Sequence, residues 1–309
     1  MPEQGPKEAG VDVMLVAVTG GSGFIGSFLV GRLLKEGHEV VNVDIRRSYN
    51  LGEFHMADIR NLDQLLEALD GIDVVFHLAG TVLNTARKNP HLAVQLDVLG
   101  TANVLEACVK NEVEKVLYAS SFYVYDGIPP ERSVDEGDRS SIFDAEMFGV
   151  VKLMGERLIL EYSRKYGLKY VILRFGPVYG PHRRCSCVVC DFILEGLRGN
   201  PIVVWGEGRR KNQYTYVEDV VDGCIRAFKA EDTIYNLISP DYISIGELAE
   251  LLASKYGFHV EFDRSKKEGP SMPYISPRKA IEELGWRPMS LDEGIERTYE
   301  GFREMLEGP

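Results

Sequence analysis

The sequence has no unbroken run of 18 or more apolar residues, which argues against a membrane span. Its opening residues, MPEQGPKEAG, lack the apolar stretch of a signal peptide, so residues 1–13 are expected to form a flexible N-terminal extension. Excess positive charge is also missing. There are 35 Lys and Arg against 47 Asp and Glu, a formal net charge of −12, which argues against a general nucleic-acid binder. An anionic ligand then has to be held by helix N-termini and single basic side chains. Cysteine is scarce, five in 309 residues. An odd, scattered set points to reduced thiols in a cytoplasmic protein rather than a disulfide framework. The absence of any Asn-x-Ser/Thr acceptor agrees with this. No internal repeat or low-complexity tract is present. What remains is an ordinary composition, 45% hydrophobic and 27% charged, long enough for one large domain or two interlocked ones.

From Met14 onward, short apolar runs alternate with helical spacing. Residues 14–18, 40–43, 74–77, 115–120 and 170–174 read as strands. Between them, Ile25, Phe28, Leu29 and Leu33 share a helix face closed by Gly37, and Asn61 caps a helix faced by Leu62, Leu65, Leu66 and Leu69. Further helices are expected through about 94–109 and 144–165. Short apolar runs separated by helices of this length indicate an α/β fold, with a doubly wound parallel sheet covered on both faces. Glycine- and proline-rich connections at 176–181, 199–201 and 206–208 point to a smaller lobe built later in the chain.

The strongest local signal is VTGGSGFIG, residues 18–26, directly between the first strand and the first helix. Gly20 lets the chain turn tightly, Gly23 lets the backbone approach a pyrophosphate, and Gly26 lets helix and strand pack closely. The helix N-terminus adds N–H groups and a positive dipole end. Asp44 in VVNVDIRR stands about 20 residues further on, where a carboxylate accepts both ribose hydroxyls of an adenosine. It would repel a 2′-phosphate and so favours NAD over NADP, although Arg46 and Arg47 beside it could accept that phosphate.

Further motifs carry a resemblance. TGGSGFIG, Asp58 in ADIRN, HLAG at 77–80 and YASSFYVYDG at 118–127 are followed by LRFGPVYGP at 173–181, YTYVEDVVDG at 214–223 and LGWRPMSLDEGI at 284–295. In this order, from about residue 14 to the C-terminus, they resemble the extended short-chain dehydrogenase/reductases, in particular the NAD-dependent nucleotide-sugar epimerases and dehydratases. The resemblance implies a Rossmann domain of about seven parallel strands over 14–175 plus about 212–238. It also implies a substrate lobe over about 176–211 plus 239–309, and often a homodimer through two long helices. Asp58 and Ile59 would contact the adenine, while Leu78, Ala79 and Gly80 would line the cofactor. Phe24, Ile25, Ile45, Arg46 and Lys152 complete the expected NAD-binding set.

In such enzymes a hydride passes between a sugar carbon and the nicotinamide. A tyrosine removes the hydroxyl proton, helped by a lysine four residues on and by a Ser or Thr. Residues i and i+4 share a helix face, so ammonium and phenol can sit together. By resemblance Ser121 takes the Ser/Thr position, and Lys152 with Glu156 matches the K-x-x-x-E that ends the motif. The tyrosine position holds Phe148, which cannot ionise. Three accounts stay open. Phe148 is an engineered Tyr→Phe change, or another group such as Tyr123, Tyr125 or Tyr179 acts as base, or the protein binds NAD and a ligand without turnover.

On the substrate side, Ser121 is followed by Phe122 and Tyr123 rather than the Asp-Glu pair of the family's 4,6-dehydratases. Elimination is therefore disfavoured, leaving oxidation and reduction at one carbon. Several marks depart from the pattern: Pro177 replaces an Asn, Asn212 an Arg and Asp97 an Asn, and no second Arg is evident near 271–276. A UDP-sugar is the expected substrate by resemblance, with Ser121, Tyr123, Pro177, Arg183 and Arg209 as contacts. Arg184, Arg210 and Lys211 are further phosphate candidates. In CSCVVC, Cys185, Cys187 and Cys190 are one thiol short of a zinc set unless His182 joins them, so small thiols lining a substrate loop, without metal, are expected. The resulting expectation is an NAD-dependent nucleotide-sugar 4-epimerase. An NAD-dependent dehydrogenase of a non-nucleotide alcohol and a non-catalytic NAD-binding scaffold are the alternatives.

Overall fold

The computed structural model describes residues 13–48 and 52–307. The expected N-terminal extension, Val13 apart, lies outside them. Seven strands form the central sheet: β1 (Leu15–Thr19), β2 (Glu39–Asp44), β3 (Glu53–Met56), β4 (Val74–His77), β5 (Lys115–Ser121), β6 (Lys169–Phe175) and β7 (Thr233–Leu237). Their order is β7-β6-β5-β4-β1-β2-β3 and every neighbouring pair is parallel. Parallel pairing requires a crossover between strands, which the intervening helices provide. The order reverses between β1 and β4, and such a switch point opens a crevice at the carboxyl ends of the strands.

Alternate residues of each strand enter opposite cores. Val16 and Val18 pack with Leu29, Leu33, Val220 and Cys224 on one face, whereas Ala17 packs with Leu65, Val104, Leu105 and Ile159 on the other. The first helix closes before Gly37, with φ of 90°, and Asn61 caps the second, both as the sequence suggests. The Asn61 side chain accepts from the Gln64 N–H, and Gly167, with φ of 75°, ends the helix Met147–Tyr166. That helix starts three residues later than the spacing indicates, because the Asp126 carboxylate takes the Glu146 N–H and holds the chain extended there.

Residues 90–110 form one continuous helix with a π segment, Val94–Gly100, in its middle. Among the described residues it is the helix long and apolar enough to cross a membrane by length and composition. Here Val104, Leu105, Ala107 and Cys108 are fully buried in the sheet core. A smaller unit packs Val189, Ile193, Val204, Leu248, Leu252, Ile295 and Phe302 around the short parallel pair Ile202–Trp205 and Val260–Asp263.

One expectation is overturned. Cys185 and Cys190 are not reduced thiols but form a disulfide, with Cα atoms 6.2 Å apart. The loop between them enters the helix Val188–Leu197, and this turn brings residues five apart in sequence face to face. The bond takes two of the three sulfurs that a metal reading would need. Of the three cysteines only Cys187 reaches the cavity described next.

Candidate active site

A cavity of about 1070 Å³ lies across the carboxyl ends of the central strands and continues onto the smaller lobe. At its first end β1 gives way to the glycine loop. Gly20 has φ of 72°, and a Cβ there would come within 2.8 Å of the Ala79 backbone nitrogen. A Cβ on Gly26 would sit on the Gly20 carbonyl oxygen, so loop and helix can approach only without side chains. The helix Phe24–Lys35 begins at Gly23 with no side-chain cap, leaving its first N–H groups to a ligand. Asp44 ends β2 and accepts from the Ser22 N–H at 3.2 Å. Arg46 lines the cavity, whereas the Arg47 guanidinium lies over the Phe54 ring, 5.7 Å from its centroid.

Asp58 is fixed by Arg60, whose guanidinium holds its carboxyl below the usual range. Ile59 fills the space that a Cβ on Gly100 would need. Gly20, Gly23, Phe24, Ile25, Gly26, Asp44, Ile45, Arg46, Asp58, Ile59, Leu78, Ala79 and Gly80 all line this end. A narrow glycine cradle, an open helix N-terminus and an acid at the end of β2 fit an NAD dinucleotide.

Behind this wall, Thr101 Oγ1 donates to the Asp97 carbonyl at 2.7 Å, so His77 Nε2 must donate to Thr101 and Nδ1 must accept from Thr19. Burial first, and then the Lys152 charge, push His77 down to about 3, leaving a neutral ring.

Further along, β5 ends at Ser121, whose Oγ accepts from the Tyr123 N–H at 3.3 Å. Phe148 and Lys152 project from the start of the helix Met147–Tyr166, and the Lys152 nitrogen lies 5.8 Å from the Phe148 ring centroid. Lys152 is buried, with its ammonium 3.1 Å from an Asp97 carboxylate oxygen and 3.3 Å from the Ala119 carbonyl. Burial alone would depress that ammonium, but Tyr118, Asp97 and Glu156 keep it above its ordinary value. Ser121, Tyr123, Phe148 and Lys152 all line the cavity.

Glu156 does not. It receives Ser120 Oγ at 2.6 Å and the Arg174 guanidinium at 2.9 and 2.8 Å beneath the site. Tyr125 and Tyr179 lie away from the cavity. The Tyr125 hydroxyl is held by Arg174 and Asn236, and the Tyr179 hydroxyl faces the Leu291 carbonyl. Tyr123 stays beside the gap, its ring T-shaped to Phe148 at 5.6 Å, and burial raises its phenol.

At the far end, Pro177 is on the wall, but Arg183 and Arg209 are not. Their neighbours Arg184 and Arg210 are. Arg184 reaches back to the Ser22 carbonyl oxygen and so straps this loop to the glycine loop. Arg210 precedes the strand Lys211–Gln213, where side chains alternate in direction, so it shares a side with Asn212 rather than with Arg209. Arg210 Nε is buried without a hydrogen-bond partner. Trp205, 58% exposed, and Tyr214 complete this wall.

A dinucleotide cradle that opens onto a Ser–Lys pair, and then onto a second lobe with a cation, defines an NAD-dependent enzyme site of the extended short-chain dehydrogenase/reductase type. A family model described as the NAD dependent epimerase/dehydratase family matches residues 16–237, and the chain belongs to that family. It is 32% identical to a putative UDP-glucose 4-epimerase of Methanocaldococcus jannaschii, over 92% of this chain and 97% of that one. It is 33% identical to a UDP-N-acetyl-alpha-D-glucosaminuronate decarboxylase of Bacillus cytotoxicus, over 93% and 97%. Its structure matches that of a Tyr-to-Phe mutant of UDP-glucuronic acid 4-epimerase from Bacillus cereus, solved with UDP-4-deoxy-4-fluoro-glucuronic acid and NAD. The TM-score is 0.84 at 28% identity, covering 94% of this chain and 100% of the other. Epimerisation and decarboxylation of nucleotide sugars are thus the chemistry of this chain's relatives.

Proposed function

We propose that NAD and a UDP-sugar lie end to end in this cavity, in the arrangement of a 4-epimerase. The observation that carries this reading is the continuity of one cavity from Gly20 and Asp44, past Ser121, Phe148 and Lys152, to Arg210 and Trp205. NAD, when bound, supplies reversible hydride acceptance at a sugar carbon. Ser121 Oγ then orients the sugar hydroxyl, and the Lys152 ammonium places a fixed positive charge beside it. Arg210, buried and unpartnered at Nε, holds the diphosphate in place of the arginine missing at 212. Phe148 closes the wall and excludes water, but it takes no proton. As it stands, the chain holds both ligands without the group that removes the hydroxyl proton. A related protein carrying a Tyr-to-Phe mutation was crystallised with both a nucleotide sugar and NAD, which supports binding by such a site.

The test is to assay this chain beside its Phe148→Tyr variant with NAD and a panel of UDP-sugars, reading products by chromatography. A positioned general base contributes roughly 10²–10⁴-fold, so turnover should rise in the variant by up to that factor, the upper end requiring an activated phenol. Silence in both, with NAD still bound, would overturn the UDP-sugar reading. A second reading rests on Tyr123, whose ring touches Phe148. Turnover by the unaltered chain that vanishes in Tyr123→Phe would establish it. The homodimer belongs to this proposal too. Val94, Leu99 and Met154, each close to half exposed, lie on the two long helices, and sedimentation at equilibrium tests whether they are covered in solution.

A further inference from the structure

A buried ammonium requires a counter-charge, since removing one partner of a buried pair leaves an uncompensated ion. Phe148 cannot provide one for Lys152. We propose that Asp97 is a positioning residue that replaces a phenolate as the partner of the Lys152 ammonium, so that positions 97 and 148 act as a unit. This rests on the placement of the proton-transfer group at 148 in the proposed function, and on nothing about the sugar.

The geometry around Asp97 is built for that pairing. Its side chain is fully buried, with one carboxylate oxygen 3.1 Å from the Lys152 nitrogen. The other oxygen accepts from the Thr81 N–H at 3.1 Å and from the Thr81 hydroxyl. Asp97 sits on the π segment Val94–Gly100, and a π turn within an α-helix changes which residues face a neighbour. Thr101, backed by neutral His77, donates to the Asp97 carbonyl and fixes that turn. Gly80 leaves room for the meeting of the two charges, because a Cβ there would lie 2.5 Å from the Asp97 oxygen and 3.3 Å from the Lys152 nitrogen.

The other titratable groups facing Lys152 are already committed. Glu156, on the same helix, is bound by Arg174 and Ser120, and Tyr118 on β5 is a phenol that burial pushes up to about 12. His77 on β4 is uncharged. The positive field that would stabilise a phenolate at 148 is therefore opposed by a carboxylate within contact distance of its source. Restoring tyrosine at 148 alone places a phenol beside an ion pair. Restoring an amide at 97 as well places it beside a free cation.

The test uses NAD-loaded Phe148→Tyr and Phe148→Tyr/Asp97→Asn proteins labelled at tyrosine 13Cζ, with the phenol at 148 titrated by NMR. In the single variant it should titrate no lower than the ordinary value of about 10. In the double variant it should fall by about 1–3 units, the usual effect of one unopposed neighbouring charge. A single variant already depressed by a unit or more, or equal values in both proteins, would overturn the proposal. Should the double variant not fold, the single variant decides alone. A purely structural role for Asp97 would lower the melting temperature without moving the phenol. Because no sugar is present, the shift can be seen even when no UDP-sugar is turned over, and turnover can be seen without the shift.

Discussion

Replacing Glu156 by glutamine removes one charge from beneath the site and strips the Arg174 guanidinium, whose side chain is fully buried, of its counter-ion. Arg174 donates Nε and one terminal nitrogen to the two Glu156 oxygens at 2.9 and 2.8 Å. Glutamine preserves one acceptor and turns the other position into an NH₂ that faces another donor. Breaking a buried pair from one side costs about 3–5 kcal/mol. That is a large share of the roughly 5–15 kcal/mol that holds a typical domain together. Thermal unfolding followed by tryptophan fluorescence should show a midpoint lower by roughly 5–8 °C. The paired replacement Glu156→Met/Arg174→Met removes both charges and should recover much of the loss. Recovery stays incomplete, because the Tyr125 hydroxyl and the Glu136 and Asp138 carbonyls lose the Arg174 donor. A glutamine variant weakened by less than about 1 kcal/mol, or a double variant no better than the single, would refute the assignment of this pair as the buried brace of the motif.

Acid should weaken the fold partly through His77. Its folded value of about 3 lies below the ordinary 6.5, so its contribution is fully present above 6.5 and is lost as the pH falls toward 3. At its steepest this gives about 1.4 kcal/mol per pH unit, and a His77→Gln variant should show a flatter decline of the urea midpoint between pH 7 and 4.5. Arg210→Met should weaken UDP binding by about 10- to 100-fold in calorimetry, the worth of a hydrogen bond to a charged group, while leaving NAD binding unchanged. Unaltered UDP affinity would remove Arg210 from the proposed diphosphate site.

The buried strands were legible because both faces of a parallel sheet are covered, so each strand reads as a short apolar run. The strand β3, EFHM, escaped that reading because this edge strand is covered only in part, with Glu53 and Met56 exposed and Phe54 and His55 half-buried. The glycine loop was legible because its spacing is itself the geometry. Cations presented a different problem. The runs Arg183–Arg184 and Arg209–Arg210 place charge near the cavity, but direction depends on the backbone that carries each residue. The strand period offered a usable signal at 210, since 210 and 212 share parity and 212 is the position at which the resemblance expects an arginine. The Cys185–Cys190 bond was hidden by counting cysteines over the whole chain, where only the local turn brings two of them together. Nothing in the sequence announces the π segment that aims Asp97 inward.

Asp97 and Phe148 look like unrelated departures in sequence, 51 positions apart by their numbering. In space both lie around one ammonium, Asp97 in contact with it and the Phe148 ring 5.8 Å away. A site that had merely lost its base would have no need of a buried carboxylate at 97 where the pattern has an amide. Replacing a buried ion pair by well-packed apolar side chains is often neutral or stabilising, whereas losing one partner is costly. This chain carries both charges, Asp97 fully buried and Lys152 nearly so, with Gly80 held free of a side chain and Thr81 bound to the second oxygen. Those contacts hold Lys152 at the cavity wall as a cation whatever occupies position 148.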